Sequence, residues 1–384
     1  MKIAFISNFY NHHQAPLANC LNRELNGGYV FISTEKITEE RLAMGWGNGT
    51  EPNFVHHYEE EVETCDEIIN KYDVVIIGAA PYSLIKKRLK AGKLTFLYSE
   101  RIFKEKPSFI KMLKYKIQYY FWNGRFKNFY LLSASAFSYC DYLRVLSFKG
   151  RAYEWGYFPK TYFYEDINEI LNSKEKDTVN ILYVSRLIEL KHPELPVFVA
   201  RRLKEEGINF HLTIVGTGVL KEKIIEMVGT LNLQNEISFI DGMKPDGVRK
   251  LMTQSNIFLF TSDRNEGWGA VINEAMNSCC SIVASSAVGS IPFLLKNNVN
   301  GFIYEDGDFE DLYGKTKELC LNKDLRRKFG IEAFNSITKE WCAEVAAKRF
   351  ICLSENLLQK NDKNEYDGGP CSKAPIIKDD WFKK

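Results

Sequence analysis

Short apolar runs recur along the chain, each closing on small or polar residues, and the stretches between them have helical spacing. In the first half the runs are Lys2 to Ile6, Val30 to Ile32, Asp73 to Ile77 and Leu94 to Tyr98. In the second half they are Ile181 to Val184, Ile214 to Val215, Ile237 to Ile240 and Asn256 to Phe260. Runs this short and this rich in Val, Ile and Phe predict strands buried on both faces. Helices are predicted over Pro16 to Leu25, Tyr82 to Lys90 and Lys339 to Leu358, the last with Trp341 near its start. Strands alternating with helices predict an α/β protein with mostly parallel, doubly wound sheets.

A length of 384 residues with 45% hydrophobic content suits two domains of ordinary size. The aromatic stretch Trp155-Gly156-Tyr157-Phe158-Pro159 leads into a charged, weakly hydrophobic segment from Glu165 to Asp177, where a hinge is predicted. The expected division is a first domain over 1–170, a second over 178–338 and a helix with tail over 339–384 that returns to the first. The tail from Tyr366 is broken by Gly-Gly-Pro and Ala-Pro pairs. It is nonetheless too apolar at Ile376, Ile377, Trp381 and Phe382 to be free, so it is expected to pack along the N-terminal domain.

The formal charge of +2 hides an asymmetry. From Lys86 to Lys127 thirteen Lys and Arg face only Glu100 and Glu105, a local net of +11, and ten aromatics are interleaved with them. Such a segment suits an anionic membrane surface or a nucleic-acid backbone, and it also suits an ordinary solvated face. No apolar run is long enough to span a bilayer, and Met1 to Ser7 reads as a first strand and not as a signal peptide. The nine cysteines show no Cys-x-x-Cys spacing and are expected to be reduced and buried. A cytoplasmic location is expected, with the basic segment suggesting contact with the inner membrane face.

Every chemically distinctive group in the second half follows a strand. Ser185-Arg186-Leu187 and Lys191 follow the first, Gly216-Thr217-Gly218 the next, then Asp241-Gly242, then the turn from Asp263 to Ala275. Carboxyl ends of parallel strands are where open α/β sheets bind ligands. Glu266 is expected on the loop and Glu274 about two turns into the following helix, so that both carboxylates face one ligand. An acidic helix start favoured by the helix dipole is the plainer explanation. Arg186 and Lys191, a forked donor and a point charge, suit a diphosphate leaving group.

These motifs, in this order, resemble the retaining nucleotide-sugar glycosyltransferases of family four (glycosyltransferase group 1), of the kind that serve bacterial polysaccharide assembly. Their GT-B architecture has two Rossmann-like domains facing across a cleft. The resemblance runs from about Asn180 to about Asp311 and is loose in the N-terminal half. It implies a nucleoside-diphosphate sugar donor, with Arg186, Lys191 and Glu266 as catalytic residues and Glu274 as the acceptor of the ribose diol. It further implies that Gly216, Gly218, Gly242, Gly267, Trp268 and Gly269 line the donor side and that no metal or other cofactor is needed. Asp306-Gly307-Asp308 has a metal-binding spacing but reads as turn chemistry. Ser290 and Ile291 depart from the family pattern.

On the acceptor side the family's glycine-rich loop is replaced by Ser7-Asn8-Phe9-Tyr10-Asn11-His12-His13-Gln14. Asn11, His13 and Gln14 are candidates for sugar hydroxyls, as are Glu100 and Arg101 after the strand ending at Tyr98; a Glu100/Arg101 surface pair competes with the last reading. The expected activity is transfer, with retention, to the hydroxyl of a glycan or lipid-linked glycan precursor, with capsule or exopolysaccharide assembly as the setting. Nucleic acid is not expected as a partner. A nucleotide-sugar epimerase of the same architecture, or a binding subunit without catalysis, are the alternatives.

Overall fold

The computed structural model describes residues 1–38, 51–105, 107–361 and 366–383. The chain forms two compact units, one made of 1–160 with 340–381 and the other of 161–339 with 382–384.

The first unit is built on seven parallel strands: β1 (Ile3–Ser7), β2 (Tyr29–Ser33), β3 (Val55–His57), β4 (Val74–Ile77), β5 (Thr95–Ser99), β6 (Phe129–Ser133) and β7 (Ala152–Glu154). Their order is β3-β2-β1-β4-β5-β6-β7, so the sheet reverses direction of growth between β1 and β4. β1 is buried throughout, which is why its sequence is apolar on both faces. The helix Ala15–Glu24 opens with Pro16 in its first turn and buries Leu17, Ala18, Cys20 and Leu21, one face at helical spacing. The predicted helix over Tyr82 to Lys90 is a 3-10 turn, Tyr82–Ile85, followed by one helical turn, Lys86–Lys90. Arg88 is buried here, donating to the carbonyls of Ile69, Tyr72, Asp73 and Leu94. Burial lowers its pKa to about 10. Among the described cations of the basic segment, Arg88 and Arg101 are thus interior, and the surface charge is smaller than the sequence sum.

The long last helix begins at Ala343, not Lys339, because Lys339 ends the preceding helix and Trp341 is buried in the connection. Beyond it, residues 371–374 run antiparallel beside β7. The Glu154 amide donates to Ser372 O (2.8 Å), and the Cys371 and Ala374 amides donate to Glu154 O (2.8 Å) and Ala152 O (3.0 Å). This covers an otherwise open sheet edge. The segment joins the first unit only as far as Trp381, since Phe382 is grouped with the second, its ring 5.4 Å from Lys315 Nζ.

The second unit has six parallel strands: β8 (Val179–Val184), β9 (Phe210–Val215), β10 (Ile237–Ile240), β11 (Ile257–Phe260), β12 (Ser281–Ser285) and β13 (Phe302–Tyr304), in the order β10-β9-β8-β11-β12-β13. It starts at Thr161, earlier than expected. The charged stretch from Glu165 to Asp177, where a hinge is predicted, contains the helix Ile167–Ser173, whose Leu171 is buried against Cys279 and Phe334. All nine cysteines are free, Cys140 and Cys352 being only partly buried. No helix among the described residues is long and apolar enough to cross a membrane.

Candidate functional site

β8 and β11 are neighbours, paired through Ile257↔Ile181, and the chain leaves them toward opposite ends of the sheet. Their carboxyl ends form the switch-point crevice of a doubly wound sheet. After β8 the backbone is pinned by the Leu187 amide donating to Thr217 O (2.8 Å). That approach requires glycine: a Cβ on Gly216 would lie 1.8 Å from Ser185 O, and one on Gly218 2.3 Å from Leu187 O. The two glycines therefore fit the β9 exit loop against the β8 exit loop. Gly242 is exposed with open space around it, and nothing in its surroundings demands a glycine.

A 3-10 turn, Glu189–Lys191, then carries Lys191 inward. Tyr183 Oη and Thr261 Oγ1 both donate to its carbonyl (2.8 Å each), and the Asp263 amide donates to Leu190 O (2.9 Å), so the turn is fastened to the loop after β11. Lys191 Nζ donates to Glu266 Oε2, with both side chains largely buried. Arg186 is exposed and makes no side-chain hydrogen bond or ion pair among the described residues.

The loop after β11 is an Asx turn in which Asp263 Oδ1 accepts from the Asn265 amide (2.7 Å). Gly269 ends it at φ +79°, where a Cβ would stand 2.3 Å from the Phe260 ring. Gly267 and Trp268 are buried, and the indole donates to Asn273 Oδ1 (2.9 Å) and packs on Phe293. Trp268 thus braces the turn from inside and is not placed to touch a donor. Because the helix runs Val271–Asn277, Glu274 lies in its first turn, not two turns in. Glu274 is partly buried, and its carboxyl makes no side-chain hydrogen bond among the described residues. Burial raises its pKa against the opposing influence of Arg249. The loop 287–290 closes the site through the Gly289 amide, 3.4 Å from Glu266 O, and Ser290 Oγ is buried without a partner among the described residues.

His192, which the sequence reading passed over, completes this group. It holds a left-handed backbone (φ 48°), with Nδ1 3.0 Å from Glu194 Oε1 and Nε2 3.6 Å from Asp263 Oδ2. Its pKa is raised, chiefly by the Glu194 hydrogen bond, with Asp263 and Asp306 adding to it. The available signal was its place beside Lys191 at a strand exit. A histidine whose folded pKa is raised adds stability that is complete below its unfolded value and is lost as pH climbs through the folded one. The melting temperature of wild type relative to His192→Gln should therefore fall as pH rises above the ordinary histidine value of about 6.5. A constant difference over that rise would remove the charged His192 from the account. Of the neighbouring acids, Asp306 accepts from Ser285 Oγ (3.2 Å) and Asp308 caps a helix by accepting from the Asp311 amide (2.9 Å).

In the first unit Asn11 is buried, and its Oδ1 accepts from the His13 amide (2.8 Å) in the turn into Ala15–Glu24. His12 and His13 have ring centroids 3.9 Å apart. Burial first, and His12 second, hold His13 down at about 3, so it is neutral. Gln14 Oε1 is buried with no partner among the described residues. Arg101 is not at a site at all. Its side chain is 2% exposed, ion-paired with Asp141 (3.4 Å) and Asp379 (3.0 Å) and laid over Phe137. Glu100 instead accepts from Tyr157 Oη (3.0 Å), and Tyr157 also meets His13 edge-on. Tyr157 was hidden in the sequence because its aromatic stretch read only as the lead-in to the predicted hinge.

The second unit's geometry has a counterpart among known proteins. Residues 164–336 match the family model of glycosyl transferases group 1. The poly(ribitol-phosphate) α-N-acetylglucosaminyltransferase of Staphylococcus aureus is 27% identical over 173 residues, 44% of this chain and 34% of that protein. The amylovoran biosynthesis glycosyltransferase AmsK of Erwinia amylovora is 30% identical over 154 residues, 38% of this chain and 37% of that protein. The chain thus spans only about a third of the length of these two relatives. Over the whole fold, the Anabaena HepE structure in complex with UDP and glucose superposes with TM-score 0.64 at 15% identity, covering 93% of this chain and all of that one. The fold is accordingly that of GT-B glycosyltransferases, two parallel-sheet α/β domains, and the group 1 match coincides with the unit that holds the Lys191–Glu266 pair.

Proposed function

We propose that the chain is a glycosyltransferase that takes a sugar from a nucleoside diphosphate and passes it to a hydroxyl acceptor. The observation that carries this is the group at the β8/β11 crevice: a largely buried Lys191–Glu266 pair, followed in the helix that leaves the same loop by a partly buried Glu274 carboxylate with acceptor capacity to spare. Lys191 and the exposed Arg186 neutralise the departing diphosphate, Glu274 accepts from the ribose diol, and Glu266 orients Lys191 and meets the donor sugar. Protein dipoles and charges aimed at developing negative charge are the largest lever available for such a step. Transfer with retention, by same-face attack in which the diphosphate oxygen takes the acceptor proton, rests on family resemblance. His13, Gln14 and Glu100 remain the candidates for acceptor contacts. The acceptor is read as a glycan or lipid-linked glycan precursor, and capsule or exopolysaccharide assembly as the setting.

Metal independence is part of the proposal, supported by the use of Asp308 as a helix cap and by the two cations already available to the diphosphate. Release of nucleoside diphosphate from a panel of donors, with and without EDTA, tests both points. Release from at least one donor, unaffected by EDTA, is expected. No release from any donor counts against transfer, and loss in EDTA that is restored by magnesium or manganese overturns metal independence.

A further inference from the structure

The helix Phe109–Tyr119 carries two apolar faces. Met112, Tyr115 and Tyr119 pack on the core of the first unit. The other face reaches solvent: Phe109 is 86% exposed, Ile110 69%, Leu113 55% and Ile117 57%. At about 100° per residue these four span about a third of the helix circumference. Lys116 borders that stripe on one side and Lys114 on the other, with Lys111 beyond Lys114. A single π-helical turn, Tyr120–Gly124, follows and leaves Tyr120, Phe121 and Trp122 exposed. Trp122 is fixed by stacking on Tyr82, with ring centroids 5.6 Å apart.

We infer that this helix lies in the plane of an anionic bilayer, its Phe109–Ile117 stripe set among the acyl chains and Lys111, Lys114 and Lys116 at the headgroups. A stripe of this kind with cations along its borders is the pattern of interfacial helices. Charge complementarity selects the occupant, because no acidic residue occurs between Pro107 and Asn128. A second copy meeting the helix stripe to stripe would bring Lys114 and Lys116 against their counterparts with no carboxylate to pair them, whereas anionic headgroups neutralise them. Aliphatic side chains such as Ile110, Leu113 and Ile117 have no stacking use toward nucleic acid. Purely electrostatic adsorption vanishes once the Debye length falls to about 3 Å at 1 M salt. Insertion of the stripe adds a part that salt does not screen. The inference depends on the proposed transferase reading only for its choice of a lipid-linked acceptor.

Co-sedimentation of the full chain with phosphatidylglycerol–phosphatidylcholine vesicles, and with phosphatidylcholine alone, tests it at about 0.1 M and 1 M salt. Binding that favours anionic vesicles and persists in part at high salt is expected. The double change Leu113→Glu and Ile117→Glu should weaken partitioning at least tenfold at both salts, while Lys111→Gln, Lys114→Gln and Lys116→Gln together should remove only the anionic preference. Vesicle binding by the Leu113/Ile117 variant equal to wild type overturns the inference, as does a lipid-free dimer that this variant dissolves. Donor turnover on a soluble acceptor, retained in the variant, shows that its fold is intact. Vesicle binding without donor turnover in wild type would sink the transferase reading and leave this inference standing.

Discussion

Lys191→Ala should lower turnover by about two to three orders of magnitude while donor affinity changes far less. The reason is timing. Charge on the diphosphate grows as the glycosidic bond breaks, so a cation placed there is worth more in the transition state than in the bound ground state. Removing one preorganised partner of a developing anion costs about 10²–10³ in rate. The variant also strips Glu266 of its cation, leaving a largely buried carboxylate uncompensated. Glu266→Gln and the double variant belong in the same experiment, because a coupled pair gives strongly non-additive losses. A Lys191→Ala enzyme that loses donor affinity and keeps its turnover number would show that Lys191 serves binding alone.

Glu274→Ala should act the other way, raising the dissociation constant for the nucleotide by roughly tenfold or more at near-constant turnover. Hydrogen bonds to a charged group contribute about 1.5–3 kcal/mol each, and every 1.4 kcal/mol is a decade in affinity. The diol contact is made in ground and transition states alike, so it appears in affinity. Burial has raised the Glu274 pKa, so the acceptor form is lost earlier on acidification than for an exposed glutamate. Donor affinity should therefore weaken as pH falls through that raised value, and Glu274→Gln should be insensitive over the same range. Unchanged donor affinity in Glu274→Ala removes the ribose assignment.

The strands that hold the site were legible because a sheet buried on both faces must be apolar in unbroken runs, as Ile181–Val184 and Ile257–Phe260 are. The strand exits were legible for the same reason, and with them Arg186, Lys191 and Glu266. What a side chain does at an exit was harder to read. Trp268 and Arg101 are residue types that bind ligands elsewhere, yet here one is locked to Asn273 and the other to Asp141 and Asp379 by partners 5, 40 and 278 residues away in sequence. Gly216 and Gly218 carried a true signal, close backbone approach, and in the fold that approach is to the neighbouring loop. His192 and Tyr157 carried almost none, since the value of each arises from Glu194 and Asp263, or from Glu100 and His13, being brought to it by the fold. The helix Ile167–Ser173 was lost because three apolar residues among charges make a weak pattern, although they are enough to dock on Phe334.

The central claim is that the β8/β11 crevice binds a nucleoside diphosphate, and thermal unfolding of the full chain with a panel of nucleoside diphosphates tests it most directly. A ligand bound only to the folded state at a hundred times its dissociation constant adds about 2.7 kcal/mol, which for units of this size is several degrees of melting temperature. The account predicts such a rise with at least one nucleotide, and a smaller one in Glu274→Ala at the same concentration. No rise with any nucleotide, or an equal rise in the variant, would contradict it.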